Sequence, residues 1–394
     1  MTAVIDEARP QRVSLYNDPK IRSRAAQAVF VLLLVWVGYE IYHNTSVNLA
    51  KLGKNVDFAF LWNTAGFDII QRPIEYSRES TYLEAVIIGF LNTLIVAALG
   101  IIFATLIGFV IGIMRLSSNW LIAKIATGYV EIVRNIPLLL QILFWYTAVL
   151  KPLPSPKESL SFFGFAFLSN RGLIIPKPIW SDGAGFVGIA FIIGCIGAVA
   201  ISRWARQRQE RTGEQFPSFW AGLGAIIGVP LIVFLATGAP VTFEYPVFKG
   251  FNFVGGTIIL PELIALLLSL SIYTASFIAE IVRAGILAVS HGQTEAAHAL
   301  GLRAQPTLRL VVIPQALRVI IPPLTSQYLN LTKNSSLAVA IAYPDLVAMG
   351  GVVMNQSGRA VEIVIIWMIV YLTVSLLTSA FMNWYNARVR LVER

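Results

Sequence analysis

The sequence predicts an all-α polytopic membrane protein with about eight transmembrane helices. Three observations carry that reading. Of 394 residues, 56% are apolar and only 13% charged, about half of the roughly 25% charge in a soluble domain. Mean hydropathy is +0.71, and a soluble fold of this size has nowhere to hide so much apolar area from water. The apolar residues also fall into long stretches, and about 20 such residues cross a bilayer core as helix.

Those stretches lie near 25–42, 85–114, 120–150, 184–202, 219–238, 257–288, 317–342 and 363–384. The first follows a polar tail, and the H-N-T-S-V-N-L-A after it is a poor cleavage site, so it reads as a retained helix. The third holds Arg134-Asn135-Ile136-Pro137 at its middle, where proline removes a backbone donor and predicts a kink. Pro322-Pro323 predicts a similar break on the approach to the seventh. Residues 43–83 and 151–182 contain Pro and Gly and read as periplasmic-side segments folded onto the protein surface.

Charge sets the orientation. Basic residues gather at Arg9, Arg12, Lys20, Arg22 and Arg24, at Arg203, Arg206, Arg208 and Arg211, at Arg303, Arg309 and Arg318, and at Arg388, Arg390 and Arg394. Eight spans place all four groups on one side, which the positive-inside rule makes cytoplasmic, with both termini. Lys51, Lys54, Lys151 and Lys157 fall opposite, so the bias is not absolute. The net charge of +9 therefore reads as topogenic rather than as a nucleic-acid footprint. The string A-R-Q-R-Q-E-R at Ala205–Arg211 reads as a solvated loop, with anionic lipid as an alternative contact.

Enzyme chemistry has little to build on. Cys195 is the single cysteine, and His43, His291 and His298 form no H-E-x-x-H pair. There is no G-x-x-x-x-G-K-[ST] and no G-x-S-x-G, and no span holds paired carboxylates. No catalytic residue, metal ligand or cofactor is expected in this chain.

The segment after the sixth span reads H-G-Q-T-E-A-A-H-A-L-G-L-R-A-Q-P-T-L-R-L-V-V-I-P. Glu295, Ala296 and Ala297 favour helix, Thr294 offers a cap, Gly301 can end the helix, and Pro306 lies beyond it. The small alanines would admit a close partner surface, and Glu295 offers a fixed anion. The bland alternative is an ordinary amphipathic helix. The spacing of E-A-A, three residues, Gly301, nine residues, Val311, one more and Ile313-Pro314 resembles the EAA signature of ABC-importer permeases. Val311 and Ile313 stand where that family often has Ile and Leu. The resemblance implies that Glu295, Ala296, Ala297, Leu300, Gly301, Leu302 and Pro314 form a coupling helix and its flanks. In that family the helix docks on a separate ATPase subunit, which holds ATP-Mg.

Further strings resemble the polar amino-acid permeases: Gly89–Leu94 (G-F-L-N-T-L), Tyr129–Gln141 (Y-V-E-I-V-R-N-I-P-L-L-L-Q), Tyr273–Ile286 (Y-T-A-S-F-I-A-E-I-V-R-A-G-I) and Leu331–Ala338 (L-T-K-N-S-S-L-A). They cover spans two, three, six, seven and eight, implying a five-helix, MetI-like core. An added first helix, F-L-W-N-T-A-G-F-D-I before span two and two extra spans resemble the general L-amino-acid (Aap/Bzt-type) permeases. The implied organisation is a cytoplasmic tail at 1–24 and an extra helix with periplasmic segment at 25–83. The first part of the core follows at 84–150, an insertion with two extra helices at 151–256, and the second part at 257–394. The implied partners are two ATPase subunits, a second homologous permease, a periplasmic amino-acid-binding protein and lipid of a bacterial inner membrane.

Polar residues inside the spans are the candidate substrate pathway. Lys333 lies deep in the seventh span, and Asn334, Ser335 and Ser336 follow it. These donors suit an amino acid's carboxylate, but Lys333 could instead pair with Glu280 or Glu131 across the bundle. Relatives often carry Asp where this chain has Asn334, which weakens a case for cationic amino acids alone. Glu280 with Arg283, and Glu131 with Arg134, stand at i, i+3 and either neutralise each other or line the pathway. An ion-coupled secondary transporter is the rival class, since it would use the same buried ions and no ATPase.

Overall fold

The structure, a computed structural model, describes residues 19–51 and 55–389. Most of the tail expected at 1–24, with Arg9 and Arg12, and also Lys54, Arg390 and Arg394, lie outside the described residues. Among the described residues seven helices are long and apolar enough to cross a membrane, and a bent pair supplies an eighth. The protein is a multi-pass membrane protein.

Helix α1 (Pro19–Lys51) is longer than its apolar run, and none of its apolar window is buried within this chain. Helix α2 (Tyr82–Met114) opens with a capping box, in which Thr81 accepts from the Glu84 amide and Glu84 reaches back. It packs along α7 (Pro261–Leu287). The contact runs through Gly108 and Gly112, both buried and four residues apart. A Cβ on Gly108 would lie 2.6 Å from Ile278, and one on Gly112 2.8 Å from the Ala279 carbonyl. Lipid removes the hydrophobic drive between helices, so such backbone approach and its van der Waals contact hold the pair.

The third span is broken. Helix α3 (Trp120–Asn135) and α4 (Leu138–Leu143, continued by a π-helical turn at Phe144–Leu150) meet at 104°. Pro137 forces Ile136 into extended backbone, at φ −94° and ψ 125°. The Gln141 amide then donates to the carbonyls of Val133 (2.9 Å) and Ile136 (3.0 Å), satisfying groups that the break orphans.

Pro322 and Pro323 behave differently from the sequence expectation. They lie inside helix α10 (Ile313–Asn334) and do not end it. Ile320, Ile321 and Leu324 beside them are buried in the core, and that packing outweighs the missing donors. Ile320 and Leu324 join Val96, Leu266, Leu270, Ile278 and Leu331 in the main apolar cluster. A second cluster brings Phe60, Ile69 and Tyr76, from the segment before α2, onto Ile88, Leu346 and Ile363.

The insertion carries strands that the helical pattern does not announce. Strands β1 (Leu160–Phe162), β2 (Ala166–Ser169), β3 (Gly172–Ile175) and β4 (Lys177–Trp180) precede helices α5 (Ala184–Thr212) and α6 (Ser218–Ala236). Strands β5 (Val241–Glu244), β6 (Val247–Lys249), β7 (Asn252–Val254) and β8 (Thr257–Ile259) follow them. All pairs are antiparallel, in a sheet ordered β1-β2-β3-β8 and the ribbons β4-β5 and β6-β7. Runs of three or four residues are too short to show a period of two. Pairing of β3 with β8 ties the insertion to the start of α7.

After α10 the chain tightens into a 3-10 turn at Ser335–Ile341. Asp345 caps α11 (Leu346–Ser357), accepting from the Ala348 amide at 2.8 Å. Helix α12 (Ala360–Val389) completes the bundle.

Candidate functional site

Helix α8 (His291–Ala299) lies between α7 and α10. Its cap is Ser290, which accepts from the Gly292 amide, not Thr294; Thr294 falls within the helix, where its amide is already in the ladder. At the other end Leu302 donates to the Ala297 carbonyl (3.1 Å) and Gly301 to His298 (2.9 Å). Gly301 has φ +80°. This is a complete Schellman stop, which needs a left-handed residue at that position.

The stop turns side chains outward. Ala297 is buried beneath α8, while Glu295, Ala296 and Gly301 are exposed and Leu300 is 82% exposed. Leu308, Leu310 and Ile313 extend the apolar surface along the short helix α9 (Ala304–Thr307) and the π-helical turn into α10. Leu302 and Pro314 are half-buried at the base. Gln315 donates to Gln293 at 3.3 Å, tying α8 to α10.

A polar cavity of about 320 Å³ lies between α7 and α10, lined by Tyr273, Thr274, Phe277, Gln327, Asn330 and Asn334. The three carboxamides stand at i, i+3 and i+7 and so share one face of α10. Arg134 lies over the lining residue Phe277, with the guanidinium 4.9 Å from its ring centroid. Tyr129 holds α3 in place, its hydroxyl donating to the Ile272 carbonyl at 2.7 Å.

The expected pathway residues therefore divide. Asn334 lines the cavity, and Arg134 lies over Phe277, which lines it too. Lys333 is exposed, and Ser336 donates to its carbonyl at 2.7 Å. Ser335 turns inward, donating to Thr332 at 2.7 Å, and lies beside Tyr371. Glu131 is exposed and makes no ion pair with Arg134 among the described residues, because that guanidinium lies on Phe277 instead. Glu280 does bind Arg283, at 2.6 Å, and also binds Arg115 just past the end of α2. That double pairing leaves no role for Lys333 as its partner. It also places Glu280 and Arg283 beside the C-terminal end of α2. Gln327, Asn330, Tyr273, Thr274 and Phe277 escaped the sequence reading. The three carboxamides at helical spacing were the available signal, masked by the adjacent Lys333.

Apolar helices long enough to span a membrane, a polar cavity between two of them and a capped short helix between α7 and α10 are the architecture to be matched with known proteins. The chain belongs to the binding-protein-dependent transport system inner membrane component family, whose profile matches residues 100–391. It is 55% identical to the general L-amino acid transport system permease protein AapQ of Rhizobium johnstonii, over 97% of this chain and 96% of that one. It is 44% identical to the glutamate/glutamine/aspartate/asparagine transport system permease protein BztB of Rhodobacter capsulatus, over 96% of each. The chain is thus a transport component of a binding-protein-dependent importer and not an enzyme, which decides against the ion-coupled carrier.

Proposed function

We propose that the chain carries amino acids across a bacterial inner membrane through the cavity between α7 and α10. The observation that carries this is a cavity lined by three uncharged carboxamides, Gln327, Asn330 and Asn334, with one cation, Arg134, over the lining residue Phe277. A guanidinium suits the α-carboxylate that every amino acid bears. Carboxamides both donate and accept, so they tolerate an α-ammonium and either an acidic or an amide side chain. Lys333, exposed, and Ser336, half-buried, extend the polar path next to Asn334, while Glu131, Glu280 and Arg283 flank it and Ser335 backs it. Asn334→Leu should lower uptake of both glutamate and glutamine at least tenfold, with complex recovery unchanged. Unaltered uptake by Asn334→Leu in proteoliposomes would remove this face of α10 from the path.

The same reading gives the chain its partners. Two ATPase subunits hold ATP-Mg, one of them seated on α8, and a second homologous permease completes the pathway. A periplasmic binding protein delivers the amino acid. Both termini and α8 face the cytoplasm, since that gathers the arginines on one side. Reporter fusions at Gln207 and Pro240, which flank α6, should then report cytoplasm and periplasm respectively. The reverse assignment, or the same side for both, rejects this topology.

A further inference from the structure

The basic end of the α5–α6 pair is absorbed by neither the cavity nor α8. Helix α5 has 29 residues, about 43 Å at 1.5 Å per residue, against a hydrocarbon core of about 30 Å. Its last turns are therefore helix standing past the bilayer core, not the loop that composition suggests.

The packing of α6 fixes where the boundary lies. Gly194 faces Ala225, Gly222 faces Ala198, and the Trp204 ring meets Phe216 edge-on at 5.2 Å. Positions 202–204 of α5 thus share a level with the start of α6. At that level Trp204, Phe219 and Trp220 are each at least half exposed, forming an aromatic belt of the kind found at headgroup depth. Arg203 stands within the belt, and Arg206, Arg208 and Arg211 follow it on α5.

The charges do not cancel there. Arg206 pairs with Glu210 at 3.5 Å, and Arg208 with Glu214 at 2.6 Å while also lying over Trp204. Arg203 and Arg211 have no carboxylate within 4.0 Å among the described residues, and both are exposed. The α5–α6 pair packs chiefly on itself, without extensive contact to the core helices. No other helix of this chain packs extensively on the pair, so its outer face and the two guanidiniums are open to the surrounding membrane.

We infer that this end of the α5–α6 pair is a binding surface for anionic phospholipid, with Arg203 and Arg211 on the phosphates and the aromatic belt against the glycerol region. Each basic residue at an anionic surface favours such lipid roughly fivefold. The test uses the full importer complex in nanodiscs of equal phosphatidylglycerol and phosphatidylcholine, followed by native mass spectrometry of retained lipid. The wild type should retain phosphatidylglycerol at least fivefold over phosphatidylcholine, and 500 mM salt should reduce that preference. Arg203→Gln with Arg211→Gln should lose most of it, whereas the double lysine variant should keep it. Equal retention of phosphatidylglycerol by the glutamine variant overturns the inference. If that variant fails to fold, a salt-independent preference in the wild type overturns it as well.

Discussion

Glu280→Gln is expected to destabilise the folded subunit by on the order of 2 kcal/mol and to cut recovery of the assembled complex. Glu280 accepts from Arg115 with one carboxylate oxygen and from Arg283 with the other. Arg115 is only 10% exposed at its side chain, and the Nε atoms of both arginines are buried with no partner among the described residues. Removing the carboxylate charge leaves two guanidiniums facing one neutral amide. Breaking a fully buried pair costs about 3–5 kcal/mol; Glu280 is 31% exposed, so solvent lowers that figure. Thermal unfolding of the purified complex in detergent measures the change. Pairing the substitution with Arg115→Gln should recover part of the loss, since one unpaired cation disappears with the other group. An unchanged midpoint in Glu280→Gln would mean that the cluster contributes nothing to holding α2 against α7.

What was legible in the sequence follows from the length scale of each signal. Bilayer-spanning helices announce themselves over 20 residues, and the break at Pro137 announces itself through one imino acid. Pro322-Pro323 offered the same local signal with the opposite result, because Ile320 and Leu324 anchor that helix on neighbours distant in sequence. The two Glu–Arg pairs at i, i+3 make the same point. One Glu–Arg pair closes at Glu280–Arg283, and the other is lost when Phe277 of α7 presents its ring to Arg134. Helix end signals were readable at Gly301, where one residue type solves one backbone problem. They failed at the start of the same helix, where Ser290 and Thr294 are chemically alike and only the backbone path chooses between them. The cavity needed two helices brought together, so three carboxamides on α10 had no visible partner in the linear chain.

The largest loss of transport is expected from Gly301→Val and Glu295→Lys, through α8 and not through the cavity. Gly301 has open space around the position of an added Cβ, with nothing within 4 Å, but its φ of +80° belongs to the left-handed region. A substitution there is penalised by backbone conformation alone, about 1–2 kcal/mol for a residue with a Cβ, and more for a β-branched one. Asparagine visits that region far more readily. Uptake should therefore fall in the order Gly, Asn, Ala, Val at position 301, a ranking that a volume effect would not give. Glu295 is exposed and makes no ion pair within 4.0 Å among the described residues, so reversing its charge should leave folding untouched. Its effect must come through whatever faces α8, where a lysine would repel a cationic groove. Both Gly301→Val and Glu295→Lys should insert normally, yet lose ATPase co-purification and uptake together. Full uptake by Glu295→Lys, or concentrative uptake by the purified chain without any ATPase, would show that α8 does not transmit the driving motion.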